Sequence, residues 1–505
     1  MPIRYCIATL IAILSIVAAF FFGQRLMAQL HCLKAANLLR ERHYASAATY
    51  LEKAAPFLPK DPLIWKNLGE SYHNLGVSKP LKEAFQLATK ARHAYLEAAR
   101  LNPLDADTAY GLAREEFRME RMYPFIHLQG DNPHHAYPYF QQAIGLRPNG
   151  IIYHYAFARY LHWKRRKEAL LLVVTNLARI YPLVISHLKK EAFWAPEVKE
   201  AVKKGLQQAI HDGMHARDAH RAMSSLLTDE KDWTGAISHY RELLDLQAVD
   251  KNSGQYLHLG RLYVQNGQFE AAQESFITAL SMSESKEKLL EGLYGFYKAK
   301  GHSEELYRFY RRVSRVFSFS SRMDILLAQT LTDLNRYHQA RRILIQLNKK
   351  RPTAETYYWL YWIAQKEKDW DTMESAMQKA TVLDGQNSRY HLIYSQVLQQ
   401  VKKLDHAETE AGLAIQYATH PSSSLYGHRA WIRWRKKDFL GALHDWKSAI
   451  RLEPKRANLH AHASEAYLKL GQRSQALAHL QKAVQLKPGN QYYQKKLKAL
   501  MAADK

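Results

Sequence analysis

From residue 28 to residue 490 the apolar positions of the chain fall on one face of one short helix after another. Tyr256, Leu259, Gly260 and Tyr263 stand at i, i+3, i+4 and i+7, the spacing of a helical stripe. A second stripe follows, opening on a small residue and placing a large one four positions later, as in Ala272 with Phe276 and Ala442 with Trp446. The opening positions are Ala236, Ala272, Leu306, Ala340, Met373, Ala407, Ala442 and Ala476, at intervals of 36, 34, 34, 33, 34, 35 and 34 residues. Ala411 is the one exception to the large partner, and Pro352, Pro454 and Pro488 close several units. The pattern predicts a two-helix unit of about 34 residues repeated in tandem.

The amino-terminal half carries the unit less regularly. Trp65, Leu68, Gly69 and Tyr72 satisfy W-x2-L-G-x2-Y. The second half of that unit, Ala91, Tyr95, Ala98 and Pro103, arrives late, after an expected insertion around Ser78-Lys-Pro80. A similar insertion, holding Tyr123-Pro124 and Asp131-Asn-Pro-His-His135, separates Leu112-Ala113 from Ala136, Phe140, Ala143 and Pro148. Two helical stretches broken at Trp194-Ala-Pro196 are expected between Val184 and His215, without a clean consensus.

On these residues the chain resembles the tetratricopeptide repeat family, with about thirteen units between Ala28 and Gly489. The resemblance implies an all-α fold, a superhelical solenoid of helix pairs. Residues 217–490 read as a regular array of eight units, 28–216 as an irregular one, and 491–505 as a capping helix. No unit can bury its stripe alone, so neighbours must stack. The basic, RNA-reading pentatricopeptide repeat is the runner-up, and the small-residue and proline landmarks speak against it.

Residues 1–27 carry a different pattern. Tyr5 to Gln24 are 20 uncharged residues between Arg4 and Arg25, enough for a helix across a hydrocarbon core of about 30 Å. Tyr5, Phe20, Phe21 and Phe22 are its aromatic members. The exit through Gly23 to Gln29 lacks an A-x-A site, so an uncleaved single-pass anchor is expected, with a cleaved signal as the alternative. Arg4 and the amino terminus against a lone nearby Arg25 favour an exported body, whereas the wider set Lys34, Arg40 and Arg42 favours the reverse. The expectation is a bacterial inner-membrane protein with its array on the periplasmic side.

Composition narrows the function classes. In 505 residues, 72 Lys+Arg against 47 Asp+Glu leave a net charge of +25, which asks for an anionic partner. Two cysteines exclude a disulfide scaffold or zinc ribbon, and a mean hydropathy of −0.42 excludes a polytopic membrane protein. No phosphate-cradling glycine loop, nucleophile elbow or H-E-x-x-H occurs, so neither catalytic residues nor cofactors are expected. His211 and His215 form an i, i+4 pair without a third ligand, His134-His135 read as loop surface, and no metal is expected. Basic runs such as Lys164-Arg-Arg-Lys167 and Arg435-Lys-Lys437 read mainly as solvated helix ends.

In tetratricopeptide arrays the first helices of successive units line a concave, ligand-holding face. Carried over by register, the groove candidates are Tyr110, Arg114, Phe117, Tyr155, Arg159, His162, Arg261, Tyr358, Trp362, Arg389, Trp431 and Trp434. Aromatic rings beside guanidinium groups suit peptide side chains or sugars and pair anions. Some chaperone cofactors of the family clamp a terminal carboxylate with a Lys and an Asn one turn apart; here Lys66 is followed by Glu70, which would repel it. The expected role is a non-catalytic, membrane-anchored scaffold for proteins of an envelope assembly. The alternative is a module holding acidic glycan in exopolysaccharide or O-antigen synthesis and export. Nucleic acid is not an expected partner.

Overall fold

The computed structural model describes residues 2–126, 132–246, 251–317 and 321–502, with side chains from residue 10 onward. Among the described residues there are 27 α-helices, two short 3-10 turns and no strand. The helices run as thirteen successive pairs and one terminal helix, the fifth pair having only a one-turn first helix, Ile185–Leu188. The chain forms two compact units, one of Met1–Lys251 with Arg261–Gln268, the other of Asn252–Gly260 with Phe269–Lys505. Each is a stack of helix pairs whose buried stripes meet their neighbours.

The first unit opens with one unbroken helix, Pro2–Arg40. Its Leu10–Arg40 portion is long and apolar enough to cross a membrane. Phe20, Phe21 and Phe22 stand 62, 65 and 72% exposed, without protein packed on them; the side chain of Tyr5 lies outside the described residues. Ala28 and Ala35, further along the same helix, are fully buried against the Tyr44–Ala54 helix. The apolar segment therefore passes into the first repeat without a linker.

The extra residues expected around Ser78-Lys-Pro80 lengthen the second helix of the pair. The chain turns there and starts the 21-residue Leu81–Leu101 helix two turns early, with Ala84 and Ala88 extending the stripe of Ala91, Tyr95 and Ala98. Asp61 and Asp105 cap the flanking first helices Pro62–Gly76 and Ala106–Met122 by accepting the backbone N–H of Leu63 and Asp107. Tyr95 lies between those helices. A β-carbon on Gly69 or Gly111 would come within 2.9 and 2.5 Å of its ring, so both sides of the sandwich require glycine. In the second unit Gly260 makes the same close approach to Phe276, where a β-carbon would meet the ring at 2.3 Å. The last helix, Gln491–Ala502, buries Tyr493 and Leu500 against the preceding pair.

The turn inside each of the last eight pairs has a fixed backbone signature. Left-handed residues recur at Lys231, Gly267, Gly301, Asn335, Lys368, Lys402, Lys437 and Gly471, each five positions before the small residue that opens the second helix. Five of these eight are not glycine, with φ between 58° and 67°, a region that side-chain-bearing residues occupy at a cost.

The basic run at Arg435-Lys-Lys437 is partly one of these turns and partly an ion-pair network. Arg429 forks onto Asp445 (2.9 and 2.7 Å), and Arg433 bonds both Asp445 (3.0 Å) and Glu408 (2.7 Å). Lys436 pairs with Asp405 and Glu408. Lys164, from the other run, reaches the buried Glu120 at 2.7 Å.

Candidate functional site

The Ala106–Met122 helix and the Ile151–Trp163 helix are the first helices of consecutive pairs. Between them, and closed by the Glu191-Ala-Phe193 turn, lies a cavity of about 400 Å³. Tyr110, Arg114, Phe117, Arg159 and His162 all line it. Tyr155 does not line it, but its hydroxyl donates to Glu191, which does. Helical spacing explains the convergence: 110, 114 and 117 share one face, as do 155, 159 and 162.

The apolar wall is aromatic. Phe117 meets Tyr160 edge-on at 5.2 Å and Trp163 at 5.5 Å, His162 lies 5.4 Å from Phe193, and Phe140 closes the floor at 1% exposure. The polar part is cationic, with three guanidinium groups, from Arg114, Arg121 and Arg159, facing one lining carboxylate, Glu191. They differ in availability. Arg114 donates to Glu70 at 2.6 Å and to the Tyr95 hydroxyl at 3.0 Å, and its Nε is buried without a hydrogen-bond partner. Arg159 is 60% exposed and 3.7 Å from Glu191. Arg121 lies 5.7 Å over the Phe117 ring. A second cavity of about 730 Å³ adjoins the first through Arg114, Phe117, Arg121 and Trp163, and adds Arg118, Leu81 and Phe125.

The electrostatics follow from these contacts. Burial alone would raise the Glu70 carboxyl; the Arg114 guanidinium, with bonds from Tyr95 and Asn74, outweighs it and holds the pKa at about 2. Burial and the Glu191 bond push the Tyr155 phenol up to about 12. Lys66 is drawn onto Asp105 (2.9 Å) and Asp107 (3.2 Å), so neither it nor Glu70 is arranged to receive a carboxylate.

The remaining candidates do not enter this cavity. Arg261 is exposed on the Ser253–Gln265 helix. In the second unit, Tyr358, Trp362 and Arg389 form one local cluster. Arg389 donates to the Tyr358 hydroxyl at 2.6 Å, and Trp362 meets Tyr358 edge-on at 6.2 Å. Trp431 and Trp434 form another, packed on Trp446 at 5.8 and 5.6 Å, with His462 and Phe439 on their other sides. These rings are largely engaged between helices.

Sequence reasoning missed Arg121, Trp163, Glu191 and Phe193. Arg121 and Trp163 are one turn on from Phe117 and Arg159, and extending the stripe would have found them. Glu191 and Phe193 sit in a turn without repeat consensus. His134, expected on the surface, is 11% exposed and bonds Glu116 at 2.9 Å. Among the described residues no three His, Cys, Asp or Glu side chains are grouped to hold a metal.

Stacked helix pairs of this kind define a helical-repeat class of protein. Models of the tetratricopeptide repeat match residues 256–286 and 429–491. The chain is a tetratricopeptide-repeat protein, a family whose repeats bind peptide or protein partners. No curated protein matches the sequence. Among solved structures the chain is similar to YrrB, described as a TPR protein with an unusual peptide-binding site, at 15% identity over 37% of this chain and 97% of that one, TM-score 0.34. It is similar to yeast Tom70 at 16% identity over 94 and 95%, TM-score 0.30. A tetratricopeptide repeat protein from Parabacteroides merdae is similar at 17% identity over 49 and 98%, TM-score 0.30.

Proposed function

We propose that the chain is a non-catalytic, membrane-anchored scaffold that gathers proteins of an envelope assembly, and that it holds one of them in the cavity between Tyr110 and Phe193. The observation that carries this reading is the convergence of five register-derived candidates on one aromatic, cationic cavity. Its occupant is a peptide segment presenting a large apolar side chain to Phe117, Trp163 and Phe193 and a carboxylate to Arg121 and Arg159. The Tyr5–Gln24 segment spans the inner membrane, and the array faces the periplasm.

A photo-crosslinking residue at Phe193 in the full-length protein tests the cavity in cells. One defined protein adduct is expected there, absent when the residue stands at Leu104, which is 76% exposed on a loop outside the cavity, and lost in Arg121→Glu with Arg159→Glu. Equal capture at both positions would sink the reading. Competition by an acidic oligosaccharide without a protein adduct would replace it with the glycan alternative. Protease accessibility of the array in spheroplasts checks the side of the membrane.

A further inference from the structure

The helix that carries the apolar segment does not become polar where its charge-free stretch ends. Beyond Arg25 one face still presents Leu26, Met27, Leu30 and Leu33, 49, 51, 49 and 66% exposed. Positions 26, 30 and 33 fall on one stripe of the helix. The same face continues as Asn37 and Arg40, both exposed and polar. The opposite face, through Ala28 and Ala35, is buried in the first repeat. The apolar-to-polar step on the free face therefore lies after Leu33, two turns past the last residue of the spanning segment.

The neighbouring chain has the same character at the same level. The Tyr44–Ala54 helix runs antiparallel to the first, with His31 5.6 Å from Tyr50, so its carboxyl end lies toward Ala28. Burial, with a smaller contribution from Asp61 at the start of the next helix, raises the pKa of the Cys32 thiol. Beside these residues Phe57 and Leu63 stand 45 and 58% exposed. Lys53 and Lys60 flank them, exposed. Single exposed apolar residues are ordinary; six gathered where a spanning helix leaves the membrane, rimmed by Arg25, Lys53 and Lys60, are not.

We propose that the first repeat is seated in the headgroup layer of the bilayer, with Leu26, Leu30 and Leu33 of the first helix and Phe57 and Leu63 beside it immersed at the lipid surface. This rests on the reading of Tyr5–Gln24 as membrane-spanning. Arg25 to Leu33 measure about 12 Å along the helix, more than the ~5–8 Å of headgroup region on one side of a bilayer. Tilted by about 40° with its leucine face toward the lipid, the upper end of the range for spanning helices, the segment rises about 9 Å, and the leucine side chains, which lean back toward the amino end of the helix, cover the remainder. Arg25, Lys53 and Lys60 then meet lipid phosphates, while their stems cover apolar surface.

The test uses the full-length protein in vesicles of phosphatidylglycerol and phosphatidylcholine, with Cys6→Ala and Cys32→Ala. Single cysteines replace Phe21, Leu33, Leu63 or Asn37 and carry an environment-sensitive fluorophore. Shallow doxyl-lipid quenchers are expected to quench the Leu33 and Leu63 probes, deep ones the Phe21 probe, and neither the Asn37 probe. Leu33 and Leu63 probes that read as water while the Phe21 probe is quenched would overturn the seat and leave the anchor standing. A Phe21 probe in water would overturn both. Circular dichroism of each labelled protein, matched to the parent, excludes misfolding as the cause of a lost signal.

Discussion

Replacing Gly111 by Ala puts the Tyr95 sandwich to a quantitative test. In an open helical position this exchange stabilises by about 0.5–1 kcal/mol, because glycine loses more backbone freedom on folding. At Gly111 the new β-carbon would sit 2.5 Å from the Tyr95 ring, against 3.4–4 Å for ordinary contact. The ring has no retreat. Gly69 packs on its other face, where a β-carbon would come within 2.9 Å, and its hydroxyl is held by Glu70 at 2.9 Å and Arg114 at 3.0 Å. Overpacking of this kind costs about 1–3 kcal/mol, and displacing the hydroxyl forfeits about 1 kcal/mol for each bond lost. Net destabilisation of about 1–3 kcal/mol is expected. Gly295→Ala is the internal control, since no atom lies within 4 Å of its β-carbon in the Lys286–Lys300 helix. Urea unfolding of the full-length protein in detergent, with hydrogen exchange resolved over residues 62–122, reads both variants. Gly111→Ala should raise exchange there, and its effect should shrink in a Tyr95→Ala background. If Gly111→Ala stabilised as much as Gly295→Ala, the sandwich would carry no packing constraint and the reasoning would fail.

Other consequences are equally direct. Asp445 is fully buried and bonded to both Arg429 and Arg433, so Asp445→Asn should cost about 3–5 kcal/mol in a urea melt, as expected when one partner of a buried pair is removed. Glu70, held at about 2 against its ordinary 4.5, contributes stability fully present above pH 4.5 and lost as pH falls through 2. Water around a side chain 43% exposed reduces that contribution to about 1–2 kcal/mol, and Glu70→Gln should flatten this part of the stability–pH curve. Lys402, left-handed at φ 63°, should gain up to about 1 kcal/mol on replacement by Gly, read as a higher unfolding midpoint.

The periodic half of the fold was legible because a repeated stripe amplifies a weak signal. Ala272 with Phe276 proves little alone; seven such pairs at a nearly constant spacing specify a stack. Register alone also placed Arg114 and Arg159 on the facing first helices of consecutive pairs. What escaped has no period. Glu115, Glu116 and Glu120 are charged residues buried on a helix that otherwise reads as amphipathic, and only their partners His73, Arg92, His134 and Lys164, distant in sequence, explain them. Phe193 closes the cavity from an irregular turn, and the early start of the Leu81–Leu101 helix looks like an insertion when only consensus positions are matched.

The left-handed joints have a consequence for the mechanics of the array. Lys231, Asn335, Lys368, Lys402 and Lys437 each occupy a conformation that glycine would adopt without strain. At about 1 kcal/mol apiece, roughly 5 kcal/mol of stability is withheld. The deficit is not concentrated at one hinge. It is divided into small, similar increments at five separate elbows, so no single turn carries a strain large enough to unseat its own helix pair.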